Sequence, residues 1–427
     1  MSSLDDESLE TSGPPAGVSA AFGEMPPPTG PPVVPGVPVP RKRRRRRGRI
    51  LGIAAIVLAL AVIVASLISV PYYALTPGSA QDVGPFIVVP AAVNHDHPGS
   101  VDLVDVEVTP MRLIDWLWFK LQSNATIISS QEVQGLETNA QYSTEGVLDM
   151  QDAQQAAEVV ALKQLGYDIT VTPNGVLLYA LDPGSPADEH LLVGDVITSV
   201  GTTKITSPEA LTNVLGRLPP GQKIHVGYRS YPTGSPKQAT LNMGVWRLQG
   251  TSTTGQLDCV PTTIHSPYPI AKLVEVDGGL ELGDAQHPGH AVACIGALDA
   301  EPSYAISKLP FELNLNSEGI VGPSAGLAFT LGIMQKLDTA NLTNGLQVAA
   351  TGTMSVTGAV GAIGGIQQKT IAVRSAGASV FLVPPANYPI AKKYAGTTLK
   401  VYAVSSISKA LAVLESLGGK IERPAQP

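Results

Sequence analysis

The spacing of apolar positions divides the chain into segments of different period. Residues 50–70 carry no charged side chain, and at about 1.5 Å per residue such a helix reaches about 30 Å, the hydrocarbon thickness of a bilayer. Across 86–108 the pattern turns strand-like in two runs, the second alternating as Val101, Leu103, Val104, Val106 and Val108. Met111, Leu113, Ile114, Trp116, Leu117 and Leu121 then follow helical spacing, with Trp116 and Trp118 read as packing residues. A second helix is predicted over 148–165, where Gln and Ala are dense and Asp149 stands in the first turn. Short strands follow, punctuated by Pro183-Gly184 and Pro219-Pro220-Gly221, in a block ending near Trp246. Residues 251–427 mix a strand over 311–315 and helices over 325–337, 366–376 and 406–417 with Gly-rich connections. The whole reads as an α+β multidomain chain with one N-terminal transmembrane helix and a C-terminal α/β domain.

Charge changes this picture at one place. Eight of the 28 basic residues, Arg41, Lys42, Arg43, Arg44, Arg45, Arg46, Arg47 and Arg49, stand directly before the apolar run, and the rest of the chain carries the acidic surplus behind the net charge of -7. In isolation a basic run suits nucleic acid. Abutting residues 50–70, it is instead the cytoplasmic flank of a membrane anchor, so no nucleic-acid partner is expected. The Lys/Arg asymmetry sets the orientation as a single-pass cell-membrane protein, N-terminus cytoplasmic and residues from Pro71 onward extracytoplasmic. Tyr72 and Tyr73 would anchor the outer interface. A cleaved signal peptide competes, since Ser79 and Ala80 are small, but the apolar run is longer than a usual signal core and a long tail precedes it. The segmentation is therefore 1–49, a disordered Pro-rich tail with the basic cluster; 50–70, the transmembrane helix; 71–165, an extracytoplasmic strand/helix region; 166–247, a small β domain; and 251–427, the domain that carries the chemistry. The two cysteines, Cys259 and Cys294, both fall outside the membrane, where disulfides persist; the sequence leaves open whether they pair.

Gly322-Pro323-Ser324-Ala325-Gly326 fits G-x-S-x-G between a predicted strand and an apolar helix. Such a turn presents a hydroxyl beside the N–H groups of a helix start, where an oxyanion would form, although a serine here also serves as a plain helix cap. The Ser–Asp–His order of an α/β-hydrolase is closed to this chain, because its last histidine, His290, precedes Ser324. A serine can also be activated by a lysine amine kept neutral through desolvation. Lys369 is the candidate: Ile366, Lys369 and Val373 share one face of a predicted helix that follows Gly364-Gly365. His95 and His97, and His287 and His290, lack the spacing and partners of a metal site and are read as loop histidines. No metal and no cofactor is expected. Ser406-x-x-Lys409 lacks the motifs that accompany a catalytic S-x-x-K and reads as structural.

Pro323-Ser324-Ala325-Gly326, then Thr351-Gly352, then Gly364-Gly365-Ile366-Gln367-Gln368-Lys369, followed by Phe381-Leu382-Val383-Pro384, resemble the proteolytic domain of Lon-type proteases over roughly residues 300–415. The resemblance implies a serine endopeptidase with Ser324 as nucleophile, Lys369 as base and Thr351 orienting the lysine. It also implies rings, a hexamer. Two positions depart from the family: Val321 stands where Lon enzymes often carry Asp, and Thr353 where they often carry Glu. No G-x-x-x-x-G-K-[ST] phosphate loop occurs in the chain, so proteolysis without ATP is expected.

Gly175-Val176-Leu177-Leu178, Gly184-Ser185-Pro186-Ala187 and Leu192-Val193-Gly194-Asp195-Val196-Ile197 resemble a bacterial PDZ domain, a small β-barrel. That likeness implies peptide capture by strand addition, with Gly175, Val176 and Leu177 as the receiving backbone. Anchor, PDZ and Lon-like domain together resemble membrane-bound PDZ and Lon-protease-domain proteins of Gram-positive bacteria. The partners expected are protein or peptide substrates. The alternative is a non-catalytic PDZ adaptor with a Lon-like scaffold.

Overall fold

A computed structural model describes residues 43–121, 126–134, 139–249, 256–263, 272–276, 279–282, 290–317 and 319–422. The Pro-rich tail up to residue 42 and His287 lie outside the described residues.

The first element, helix α1 (Arg43–Leu67), contains a stretch, Arg49–Leu67, long and apolar enough to cross a membrane, with a mean hydropathy of 3.0. It starts inside the basic cluster, so Arg43 to Arg49 extend the helix rather than the tail; a run of arginines has good helix propensity. It stops short of residue 70, where Ser69 and Val70 already belong to a strand.

Beyond it, the described elements run β1 (Ser69–Asp82), β2 (Ser100–Arg112), a short helix α2 (Leu113–Phe119), β3 (Thr126–Ser129) and the long helix α3 (Asn139–Gln164). Next come β4 (Val171–Leu181), β5 (Asp195–Val200), α4 (Pro208–Leu215), β6 (Lys223–Ser230), β7 (Lys237–Asn242) and β8 (Ala297–Ile306). The C-terminal part holds α5 (Gly326–Leu337), β9 (Gln347–Ala350), α6 (Ile366–Ala376), β10 (Val380–Val383), β11 (Lys400–Ala403) and α7 (Ile407–Ser416). Helix α3 begins nine residues before the predicted 148; its first turns leave Ser143, Thr144 and Val147 exposed and so carry no apolar period that marks them as helix. The strand expected over 311–315 is reduced to Asn314–Leu315, paired with Ile87–Val88.

Two sheets organise these elements. The first has the order β11-β10-β9-β2-β1-β3. Strands β9, β10 and β11 are mutually parallel, β9 is also parallel to β2, and β1 pairs antiparallel with β2 and β3. Residues 71–165, read from sequence as a region of their own, thus supply half the strands of the sheet that the last hundred residues complete. Val348 sits opposite Val101 in the register of β9 on β2. The parallel strands are apolar at their centres, Val348, Ala349 and Ala350 being fully buried, as a sheet covered on both faces requires. Side chains alternate between the faces. Val101, Leu103, Val348, Ala350 and Leu382 pack with α3, α5 and α7, while Val104, Ala349, Phe381 and Val383 pack with α6.

The second sheet, β8-β4-β5-β6-β7, is built on the segment between α3 and α5. Its core gathers Val176, Leu178, Leu191, Ile197, Leu211, Leu215 and Val226. Ser207 caps α4 by accepting a hydrogen bond from Ala210 N. The edge strand β8 comes from beyond the predicted block boundary at 247. Cys259 and Cys294 are joined in a disulfide, Cα to Cα 5.9 Å, which holds the approach to β8 beside the strand Gly244–Gln249.

Trp116 is part-buried, with Lys120 Nζ 3.7 Å from its ring centre, but Trp118 is 63% exposed. A separation of two residues places them on opposite faces of α2, so the packing role expected for both holds for Trp116. Phe329, fully buried on α5, ties the helix that follows Ser324 into the core. Replacing it with alanine is expected to cost about 3–5 kcal/mol, measurable as a lower denaturation midpoint.

Candidate active site

Ser324 lies in the 3-10 turn Pro323–Ala325 that leads into α5. Gly322 reaches that turn at φ 94° and ψ 158°, a conformation open to glycine and costly for other residues. Its N–H donates to Gly146 O of α3 at 2.8 Å, so the turn is braced from outside α5. Behind the serine, Gly352 N donates to Ser324 O at 2.9 Å. Gly326 permits this approach, because a Cβ there would stand 2.8 Å from Met354 Cβ.

Lys369 comes from the opposite face of the sheet, one turn into α6. Gly365, at φ 67° and ψ 22°, is the residue before the helix, and its carbonyl accepts from Lys369 N at 2.9 Å. A Cβ at Gly365 would lie 3.0 Å from Val106 Cγ1 and 3.3 Å from Leu75 Cδ2, so the glycine lets the helix start lie flat on β1 and β2. The two side chains meet just past the end of β9. Lys369 Nζ is 2.6 Å from Ser324 Oγ, 3.2 Å from Thr351 Oγ1 and 2.8 Å from the Val104 carbonyl of β2. Thr351 in turn donates from its hydroxyl to Ser324 O at 3.1 Å. An ammonium has three protons, and three oxygens surround this one.

Lys369 is 2% exposed. Burial disfavours its charged form and draws its pKa down from 10.5 to about 8, opposed in part by the Asp105 carboxylate. Asp105 is fixed next to Val104 by the backbone N–H and the hydroxyl of Ser79. Those bonds become available where the β1–β2 register shifts between Pro77 and Ala80. Val321, 55% exposed, stands beside the serine turn.

Other sequence candidates fall elsewhere. His97 is bonded through Nε2 to Asp338 O at 2.8 Å, and His95 N donates to Lys336 O. Among the described residues no group of three or more His, Cys, Asp and Glu is arranged to hold a metal. Ser406 caps α7. The expected peptide-receiving backbone at Gly175, Val176 and Leu177 needs correction. Val176 pairs with Pro302 and Ile197, and Leu177 with Glu301 and Val196. Gly175 pairs with Ser303 on one side and has Ile197 O within 2.8 Å of its Cβ position on the other. A strand hydrogen-bonded along both edges has none left to offer. The residue that sequence reasoning missed is Val104, which contributes only a carbonyl; no side-chain pattern marks such a role.

Residues 318–417 match the Lon protease (S16) C-terminal proteolytic domain, and residues 163–241 match a PDZ domain. The chain carries a Lon-type proteolytic domain joined to a PDZ domain. Mitochondrial Lon protease homologues of Mus musculus and Rattus norvegicus are 28% identical to it over 205 residues, 45% of this chain and 20% of theirs. The chain therefore spans about a fifth of the length of the curated relatives it matches. Solved PDZ domains of SdrC-like proteins are also similar. That of Listeria monocytogenes is 22% identical, covering 17% of this chain and 76% of that one with a TM-score of 0.16. That of Listeria innocua is 16% identical, covering 22% and 98%, also with a TM-score of 0.16. The Lon-type model spans both Ser324 and Lys369, while Val104 of β2 lies far outside it.

Because the folded pKa of Lys369 is lowered, the native state binds fewer protons than the unfolded state between about pH 8 and 10.5. Stability therefore rises with pH across that window, and below it the cost of a buried charge is fully present. Lys369→Met, of similar length and without the charge, is expected to remove this rise and to unfold at higher temperature than wild type at pH 7, by thermal denaturation across pH.

Proposed function

We propose that the chain is a serine endopeptidase working through a Ser324–Lys369 dyad. The observation that carries this is the 2.6 Å hydrogen bond between Lys369 Nζ and Ser324 Oγ at an amine withdrawn from water. A neutral amine at that distance takes the proton of Ser324 Oγ as the oxygen bonds to the scissile carbonyl carbon. The resulting ammonium is held by Thr351 Oγ1 and Val104 O. It returns its proton to the leaving amine as the peptide C–N bond breaks, leaving an acyl ester on Ser324. Water then attacks that ester, Lys369 again taking the proton, and Ser324 recovers it as the new carboxyl group departs. Thr351 is a positioning residue, since its hydroxyl ties the amine to the backbone of the serine itself.

Three further parts of the reading have their own support. The chain contains no phosphate loop, so substrates arrive already unfolded and ATP is not consumed. The eight basic residues cluster at the N-terminal end of the apolar stretch of α1 and not at its sheet-bearing end, which supports a cytoplasmic N-terminus and an extracytoplasmic site. The Cys259–Cys294 disulfide suits that oxidising side. Assembly into a ring follows from the family likeness and is read out by sedimentation of the detergent-solubilised chain.

Full-length protein in detergent is expected to hydrolyse an unfolded protein without ATP. Lys369→Met should lower kcat/KM by about 10²–10⁴-fold, and Ser324→Ala by at least as much; a wild type that is folded, inert and unreactive toward a serine-directed probe would leave a binding module in its place. In wild type, kcat/KM should rise with pH along an acid limb centred near 8, because only the neutral Lys369 acts as base. Thr351→Val is expected to keep the fold while lowering kcat and displacing that limb, read from the pH–rate profile.

A further inference from the structure

Helix α2 turns an apolar stripe outward at the end of the first sheet where Ser69 pairs with Arg112. Ile114, Leu117, Trp118 and Leu121 stand at i, i+3, i+4 and i+7 and share one helical face. Leu121 belongs to the stripe because its N–H continues the turn, donating to Trp118 O at 3.0 Å. Leu117, Trp118 and Leu121 are all exposed, Leu121 by 83%. The surface helix of a soluble domain does the opposite, burying such a stripe and showing water its polar side. Trp116, on the other side of α2, is part-buried with its ring 6.5 Å from that of Tyr72 on β1.

Two hydrogen bonds set this helix beside the end of the apolar stretch Arg49–Leu67. Leu113 N donates to Ile68 O and Arg112 Nη1 donates to Ser66 O, each at 2.9 Å. Leu67 and Ile68 are themselves exposed there. Around the stripe stand the residue types of a membrane interface, Tyr72, Trp116 and Trp118 as amphipathic rings and Arg112 and Lys120 as exposed cations. Lys120 lies over the Trp116 ring. The carboxylate carried by α2, that of Asp115, is turned back to accept from Arg112 N at 2.9 Å.

We propose that α2 and Leu121 seat in the interfacial layer of the bilayer that α1 crosses, with Leu117, Trp118 and Leu121 reaching the acyl boundary and Arg112 and Lys120 the lipid headgroups. This rests on the reading of α1 as a membrane anchor. The occupant is lipid and not a second copy of the chain, because Leu113 is bonded to residue 68, one position past the anchor stretch. The stripe therefore starts at the depth where the hydrocarbon ends. Seating gives the first sheet a second attachment beside α1. Strand β2 leads from Arg112 to Val104, whose carbonyl accepts from Lys369 Nζ. Those eight steps span at most about 29 Å, so the Ser324–Lys369 pair is held at a fixed height no more than about 30 Å from Arg112.

The test places a nitroxide on one introduced cysteine of the full-length protein in vesicles of phosphatidylcholine and phosphatidylglycerol. Cys259 and Cys294 are joined to each other, so the new thiol alone is labelled. Labels at Leu117→Cys and Leu121→Cys are expected about 5–10 Å into the headgroup and acyl boundary, relaxed by oxygen and shielded from a water-soluble nickel chelate. A label at Leu192→Cys, an exposed position of the PDZ segment, should show the reverse. Leu117→Asn with Trp118→Asn, both at exposed positions, should return the Leu121 label to water with the thermal midpoint unchanged. A Leu121 label as open to the chelate as that at Leu192 overturns the proposal. So does one closed to both relaxants, which would put a second copy over the stripe. A Val57→Cys label within α1 separates the two readings: if it is aqueous, the anchor fails and the docking with it; if it is lipid-embedded while Leu121 is aqueous, the docking alone fails.

Discussion

Everything at the site depends on keeping one amine out of water. Lys369 can serve as a base near neutral pH only because its charged form is poorly solvated, and desolvation on that scale needs a complete wall around it. The wall is the first sheet with α6 laid across it. The same enclosure would strand three N–H donors if the ammonium formed without acceptors, which is why a strand carbonyl and two hydroxyls converge on a point that is otherwise apolar. Glycines at 326, 352 and 365 mark where backbone must come closer than a side chain would allow. In the proposed mechanism the chemistry is carried by two side chains, the geometry by the backbone around them.

What could be read from the sequence follows from how local each cause is. Ser324 and Lys369 were legible because a turn before an apolar helix and a lysine on an apolar face are patterns within a dozen residues. Thr351 was legible only through the family likeness. The role of Val104 was not legible at all, since a carbonyl acceptor leaves no trace in residue type. The same limit hid the partnership of β1 and β2 with β9. Their alternation announces strands, but which strand sits alongside is decided by the fit of whole layers, 247 residues apart in the case of Val101 and Val348.

The PDZ segment shows the complementary failure. Gly175, Val176 and Leu177 look like a receiving edge because an apolar strand reads the same whether its edge is open or filled. The filler, β8, lies across the disulfide-linked stretch and carries the acidic positions Asp299 and Glu301, whose pattern alone suggests an ordinary solvated face. Only when α3 and α4 are brought alongside do Asp149, Asp152 and Glu209 turn those charges into one surface.

The PDZ sheet interrupts the proteolytic fold between α3 and α5, so the carbonyl that receives the lysine amine is made 265 residues before the lysine itself. A chain emerging residue by residue can pair β1 with β2 and β3 early, while the other edge of β2 waits for β9 until the PDZ strands have been made. Until α6 arrives there is no enclosure for the amine, because Lys369 is itself on α6. The order of synthesis therefore separates the two halves of the enclosure, and the lysine's surroundings are complete only after the whole PDZ segment has been made.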